Sequence, residues 1–393
     1  MIIKRYLENN ILKDLSEKMV FISGPRQVGK TTLVKNIGNN YFKGEFSYLN
    51  WDNRDDRKNI LSSMYRADKK LVIFDELHKY KKWKSHLKGE YDKYREDFKI
   101  IVTGSARMDI YRKGGDSLLG RYHSYRLHPL TLSELIKTTK KTKPFEKLSF
   151  IKTNEDAHRL LNDLFVFGGF PEVFLKKNER FLRRWHNERV DRLIKEDIRD
   201  IETLRDISSI QILVDILPIK VGSVFSLNSL REDLGVTHKT VSLWVDILEK
   251  FYYHFRIHPF QSKKIQSLRK EPKMYLWDWS ELKNDSAKFE NLIASHLLKF
   301  CHYLYDYEGY KIDLCYLRDK EQREVDFLVT IDNKPWFCVE AKSSFNGIPS
   351  NLKYFINRLQ IPYSYLVTKD DGYDHIKDNI HIISASKFLT GLL

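Results

Sequence analysis

Two groups of residues in this chain have the types and spacing that phosphate chemistry requires. The first is Gly24-Pro25-Arg26-Gln27-Val28-Gly29-Lys30-Thr31, which fits G-x-x-x-x-G-K-[ST] without deviation. Such a loop closes its backbone N–H groups around phosphate oxygens, so glycines stand where a Cβ would obstruct. Lys30 then reaches the β and γ phosphates, and the Thr31 hydroxyl ligates Mg2+. An apolar run, Met19-Val20-Phe21-Ile22, precedes the loop, and a helical pattern opens at Thr32. That order puts a helix N-terminus at the phosphates. Gly24, Pro25, Arg26, Gln27, Val28, Gly29, Lys30, Thr31 and Thr32 are therefore the expected nucleotide-binding residues, with ATP and Mg2+ as the cofactors.

Three further stretches complete that site. Leu71-Val72-Ile73-Phe74-Asp75-Glu76 reads as an apolar strand that delivers Asp75 to the Mg2+ shell and places Glu76 to polarise an attacking water. Ile100 to Ser105 is a second apolar strand ending in small polar residues, of which Thr103 or Ser105 would sense the γ-phosphate. Arg121 follows Leu118-Leu119-Gly120 and reads as a finger reaching a neighbouring subunit's γ-phosphate, which brings a homo-oligomer with it. A surface salt bridge is the alternative for Arg121.

The second group lies near the C-terminus. Asp326 is expected on a strand Glu324–Ile331, and Glu340 and Lys342 on a strand Trp336–Lys342. Side chains alternate along a strand, so Glu340 and Lys342 share a face, and an antiparallel neighbour brings Asp326 to it. Asp326 and Glu340 are candidate metal ligands, with Lys342 orienting water for phosphodiester hydrolysis. Glu290, on an expected helix 288–300, offers another carboxylate. This arrangement resembles that of the PD-(D/E)XK nucleases. Glu-x-Lys also arises by chance in a charged strand, so a fold that no longer cuts is the competing expectation.

Between the two groups, Leu227–Leu234 reads as an amphipathic helix ended by Gly235, and Thr237 caps a second helix, His238–Lys250. This is helix-turn-helix spacing, with Thr237, His238, Lys239, Thr240 and Ser242 available to a DNA major groove. Asp246 and Glu249 weaken phosphate attraction there, so a lid or a protein dock is the alternative.

The first third of the chain alternates apolar runs with helical patterns, as an α/β sheet domain does. Strands are expected at 19–23, 46–49, 71–74, 100–103 and 122–127. The chain then turns helical and charged from Thr131 to about Ile207, broken by Phe167-Gly168-Gly169-Phe170-Pro171. The expected divisions are a core at 1–130, a helical lid at 131–207, a winged helix-turn-helix at 208–260, a linker at 261–284 and a last α/β domain at 285–393. Hydrophobic residues are 42% of the 393, enough for real cores and too many for disorder. The 68 Lys and Arg against 53 Asp and Glu give a net charge of +15, which suits a polyanionic partner such as DNA. Cys301, Cys315 and Cys338 are sparse and form no C-x-x-C pair, which argues against a disulfide framework or a zinc site. With no apolar run of about 18 residues and no signal-peptide pattern, a cytoplasmic protein without membrane contact is expected.

At these residues the chain resembles a prokaryotic family of AAA+ ATPases with a C-terminal region of undefined function. The stretches that carry the resemblance include Gly24–Leu33, Leu71–Glu76, Leu119–Arg121, Gly168–Glu172, Lys273–Asp278, Phe289–Asn291, Glu324–Phe327 and Val339–Lys342. The resemblance implies an α/β protein: a P-loop AAA+ parallel sheet, a helical lid, a winged helix and a mixed α/β restriction-endonuclease-like domain. Trp279 after Asp278 departs from the family's usual glycine. Three readings compete. They are a DNA-acting ATPase with a nuclease, an ATP-dependent DNA-binding regulator with an inactive nuclease fold, and a protein-remodelling scaffold.

Overall fold

The computed structural model describes residues 3–65, 69–104, 118–138, 142–198, 206–261 and 271–393. They form two compact units, residues 1–128 and 129–393.

The first unit is built on β1 (Met19–Ser23), β2 (Phe46–Asn50), β3 (Leu71–Asp75), β4 (Lys99–Gly104) and β5 (Tyr122–Arg126). All four pairings are parallel, in the order β2-β3-β4-β1-β5. β1 and β3 are buried along their whole length, as near-continuous apolar runs in a parallel sheet require. One face packs into a core of Phe21, Val72, Phe74, Val102, Trp83 and Leu87. Parallel register brings the C-terminal ends of β1, β3 and β4 together, where α/β sheets place their ligands.

In the second unit the helices 155–167, 171–176, 179–192, 207–216, 227–234 and 238–250 lead into an eight-stranded mixed sheet. Its strands are β6 (His254–Pro259), β7 (Lys273–Leu276), β8 (Ile312–Arg318), β9 (Glu324–Ile331), β10 (Lys334–Lys342), β11 (Tyr363–Thr368), β12 (Asp374–Lys377) and β13 (Ile380–Ser384). The order is β12-β13-β11-β10-β9-β8-β6-β7. A 22-residue helix, Asp285–Asp306, begins at the Asn284 cap, whose side chain accepts from the Ala287 N–H.

Two expected divisions are corrected here. The stretch 261–284 is not a linker in its described part, because Lys273–Leu276 is an edge strand paired antiparallel with β6. Residues His254–Pro259, expected within the winged segment 208–260, are β6, which also pairs parallel with β8. An extended run needs backbone partners, and here they come from the last α/β region. The break at 167–171 is a packing requirement. A Cβ on Gly168 would stand 2.6 Å from the Asp278 carboxylate, and one on Gly169 would stand 2.8 Å from the Trp279 ring. Trp279, the departure from the family pattern, is buried and donates its indole N–H to the Leu164 carbonyl at 2.7 Å.

Helix 285–306 is tied to the start of this unit by a buried ion pair between Lys299 and Glu134. The same ammonium donates to the Thr131 hydroxyl at 3.0 Å and the Pro129 carbonyl at 3.3 Å. Removing one member leaves an unmatched buried charge. Lys299→Met should therefore destabilise this unit by about 3–5 kcal/mol. Glu134→Leu combined with Lys299→Met should recover most of that loss in denaturant unfolding, which the single variants would not.

Candidate functional site

The loop 24–29 leaves β1 and enters the helix Lys30–Tyr41 through Gly29, whose φ of 96° only glycine adopts readily. Gly24 has φ +153°, and a Cβ there would lie 2.5 Å from the Leu127 carbonyl oxygen. The loop is thus threaded against the end of β5, where the Leu127 N–H donates to Ser23 O at 2.8 Å. Lys30 is buried and donates to the carbonyls of Gly24 and Pro25, each at 2.8 Å. Its side chain therefore folds back over the mouth of the loop.

Facing the loop, the carboxylate of Asp75 ends β3. It accepts hydrogen bonds from Thr31 Oγ1 at 3.0 Å, from the Tyr48 hydroxyl at 2.5 Å and from Thr103 Oγ1. Burial and the bond to Asp75 raise the Tyr48 phenol above its ordinary pKa. Lys35 lies over the Tyr48 ring, 3.9 Å from its centroid. Glu76 follows in the left-handed region at φ 55°, its N–H donating to Thr103 O at 3.0 Å. A non-glycine residue there carries strain that the surroundings must hold in place. His78 Nε2 stands 3.5 Å from Glu76, and burial lowers the pKa of that imidazole.

These residues fit a nucleotide and a divalent cation. The loop opens onto the N-terminus of the helix Lys30–Tyr41, and Thr31 and Asp75 supply neighbouring oxygen donors, the ligand type Mg2+ prefers. Thr103 reaches Asp75; Ser105, expected beside it, lies outside the described residues. Arg121 does not come to this site. It precedes β5 at the opposite end of the sheet, and its guanidinium donates to Asp92 at 2.7 and 3.0 Å. Two contributors were not anticipated. Tyr48 could have been suspected from a polar aromatic on the strand beside Asp75. Arg5 could not have been, since it lies far from the motif in sequence. Its guanidinium is buried and donates to the P-loop carbonyl of Val28 at 2.7 Å and to that of His128.

The C-terminal carboxylates do converge. β9 and β10 pair antiparallel with Phe327 opposite Val339, which brings Asp326 beside Glu340. Glu340 and Lys342 share a face and pair at 2.8 Å. Burial, then the charge of Asp326, pushes Glu290 and Glu340 up to about 7. Sequence reading missed Lys273. Its buried ammonium stands 2.6 Å from Glu324, 3.3 Å from Glu290 and 3.5 Å from Asp326. Burial opposes that charge, but the three carboxylates more than offset it, so the lysine pKa lies above its ordinary value. No group of three or more His, Cys, Asp or Glu residues is arranged to hold a metal among the described residues. The expected metal pair Asp326 and Glu340 stands together, with Lys273 3.5 Å from Asp326 and Lys342 2.8 Å from Glu340.

The helix-turn-helix segment has its expected bounds, 227–234 and 238–250, with Gly235 at φ 64° and Thr237 capping Thr240 N. Thr237, His238 and Lys239 are exposed. Arg256 pairs with Asp246 at 2.7 Å and with Glu249 at 2.5 Å, so these acids do not stand uncompensated.

Residues 16–136 match the family model described as an AAA domain, and the five-stranded parallel sheet with its glycine loop is the fold of that class. Residues 158–283 and 286–388 match two models of domains of unknown function. An uncharacterised protein of Methanocaldococcus jannaschii is 26% identical, over 96% of this chain and 88% of that one. One of Mycobacterium tuberculosis is 20% identical, over 95% and 81%. Among solved structures, the Thermotoga maritima RuvB Holliday junction branch migration motor is 20% identical, with TM-score 0.30, over 63% of this chain and 89% of that one. AMPPCP-bound DnaA from Aquifex aeolicus is 13% identical, with TM-score 0.33, over 62% and 86%. Scores that low carry no functional argument. No described helix is long and apolar enough to cross a membrane.

Gly24→Ala should displace the loop, because the new methyl meets backbone rather than a movable side chain. The expected result in calorimetry is loss of ATP binding in a protein whose far-ultraviolet circular dichroism is unchanged.

Proposed function

We propose that this chain binds and hydrolyses ATP as an AAA+ protein and acts on DNA. The observation that carries the ATPase reading is the carboxylate of Asp75 held beside Thr31 at the mouth of the glycine loop. Lys30 and the loop amides of 24–32 would hold the phosphates, and Thr31 and Asp75 the Mg2+. The cation would supply charge neutralisation on the phosphates. Glu76, fixed beside His78, orients the attacking water, and Thr103 couples that strand end to Asp75.

The test separates binding from turnover. Lys30→Ala should abolish ATP binding with the fold intact. Glu76→Gln should keep ATP affinity while turnover falls by about 100-fold or more. Full activity in the Glu76 variant would place the base elsewhere. Arg121 acts, in this reading, on a neighbouring subunit of a homo-oligomer, after leaving Asp92. Turnover should then rise with protein concentration, Arg121→Ala should remove that rise, and mixing it with Lys30→Ala should restore activity. Turnover independent of concentration in a monomer overturns the trans role.

The DNA reading is supported by the exposed start of helix 238–250, by Arg256 covering Asp246 and Glu249, and by the net charge of +15. Lys239→Ala should weaken duplex binding in fluorescence anisotropy and reduce the salt slope by about one. The alternative of an ATP-dependent regulator or scaffold with an inactive nuclease fold is favoured, for the C-terminal module, by Lys273 among the carboxylates.

A further inference from the structure

The carboxylates of Glu290, Asp326 and Glu340 stand where the nuclease-like reading puts a metal, yet most of their oxygens already face protein donors. Asp326 Oδ1 faces Lys273 at 3.5 Å, and Oδ2 accepts from the Ala341 N–H at 3.0 Å. Glu290 Oε1 takes both the Tyr275 hydroxyl at 2.7 Å and Lys273 at 3.3 Å. A Cβ on Gly222 would lie 3.2 Å from Glu290 Oε2, so the 222 turn packs over that oxygen. Glu340 Oε1 pairs with Lys342 at 2.8 Å, and Oε2 accepts from the Asp326 N–H at 3.4 Å. Glu324 joins from the rim, between Lys273 at 2.6 Å and Arg318 at 2.6 Å.

The charges nearly balance without an added ion. Four carboxylates, Glu290, Glu324, Asp326 and Glu340, face three cations, Lys273, Lys342 and Arg318. A divalent ion needs oxygens at roughly 2.0–2.6 Å. An ion that close to Asp326 and Glu290 would stand against an ammonium already shared by both, and the two cations would repel in a site with little water to screen them.

We propose that the Lys273 ammonium is the resident cation of this cluster, occupying the place of a divalent metal, so that the C-terminal domain does not cut phosphodiesters by a metal route. The inference rests on the nuclease-like reading of this fold and is independent of the ATPase reading. Lys273 is also a main-chain partner. It pairs with Ile257 in β6 and makes an isolated bridge with Val224. Its backbone thus joins the helical part of this unit to the sheet, while its side chain reaches helix 285–306 and β9.

The experiment uses the full-length protein without nucleotide and Mn2+ as the probe. In calorimetry, wild type should show no saturable Mn2+ binding beyond what Asp326→Asn retains, and its melting temperature should move with Mn2+ no more than that variant's. Lys273→Met removes the charge and keeps most of the side-chain length. It should melt several degrees lower, gain saturable Mn2+ binding and recover stability with Mn2+. Adding Asp326→Asn to it should abolish both gains. Saturable Mn2+ binding by wild type that Asp326→Asn removes overturns the proposal, and that arm stands even where Lys273→Met fails to fold. A folded Lys273→Met protein that Mn2+ neither binds nor stabilises overturns it too. Metal-dependent nicking of DNA by wild type, absent in Asp326→Asn, does the same and leaves the nuclease-like reading intact. Loss of ATP binding in any of these variants bears on neither result.

Discussion

A charge taken out of water must be matched inside the protein, and that constraint shapes most of the polar architecture of the second unit. Lys299 is buried only because Glu134, Thr131 and a carbonyl receive it. Arg189 is sandwiched between Phe170 and the carboxylate of Glu281 at 2.7 Å, with Asp278 at 3.8 Å. Asp278 in turn receives Ser280 and His186, which holds the loop that carries Trp279 against the 167–171 break. Apart from the local bond between Ser280 and Asp278, each pairing joins segments far apart in sequence. Truncating one partner strands the other, so the links are stronger against change than their net contribution to stability suggests.

The same constraint separates the two acidic sites. At the P-loop, the three side-chain partners of Asp75 are hydroxyls, from Thr31, Tyr48 and Thr103. Neutral donors orient a carboxylate without cancelling its charge, which leaves its attraction for a cation in place. At the C-terminal cluster the partners include, beside neutral donors, ammonium and guanidinium groups, which cancel the charge as they orient it. Both sites present acidic residues on sheet strands, and the donors decide what each can hold.

That distinction also marks what was legible in the sequence. The five parallel strands, the glycine loop, both helices of the helix-turn-helix and the β9–β10 pair follow from local patterns: apolar runs, caps and alternation. Asp326, Glu340 and Lys342 come together because a two-residue period and one antiparallel pairing suffice to place them. Lys273 was read only as the start of the family-like stretch Lys273–Asp278, since nothing local says that its strand will lie at the sheet edge beside Glu290 and Glu324. Arg5 was missed for the same reason, its partners Val28 and His128 being set by tertiary packing. The supposed linker failed because four residues, Lys273 to Leu276, are too short a run to separate an edge strand from a loop.

The lysine also does something that a metal ion could not. An ion neutralises carboxylates and can be exchanged with solvent, whereas Lys273 is carried by β7, so its charge arrives attached to a backbone. That backbone contacts β6, whose preceding helix 238–250 holds the exposed residues proposed to meet DNA, and Val224, ahead of helix 227–234. Tyr253, between that helix and β6, donates to Glu281 at 3.1 Å and to Val214 O at 3.2 Å, extending the same join. The carboxylates therefore serve as an anchoring point for the helix-turn-helix rather than as loose ligands. Freeing them for a metal would mean displacing the Lys273 side chain, while its backbone stays paired with β6. Catalysis and attachment are alternative uses of one cluster, and the covalent tether favours attachment.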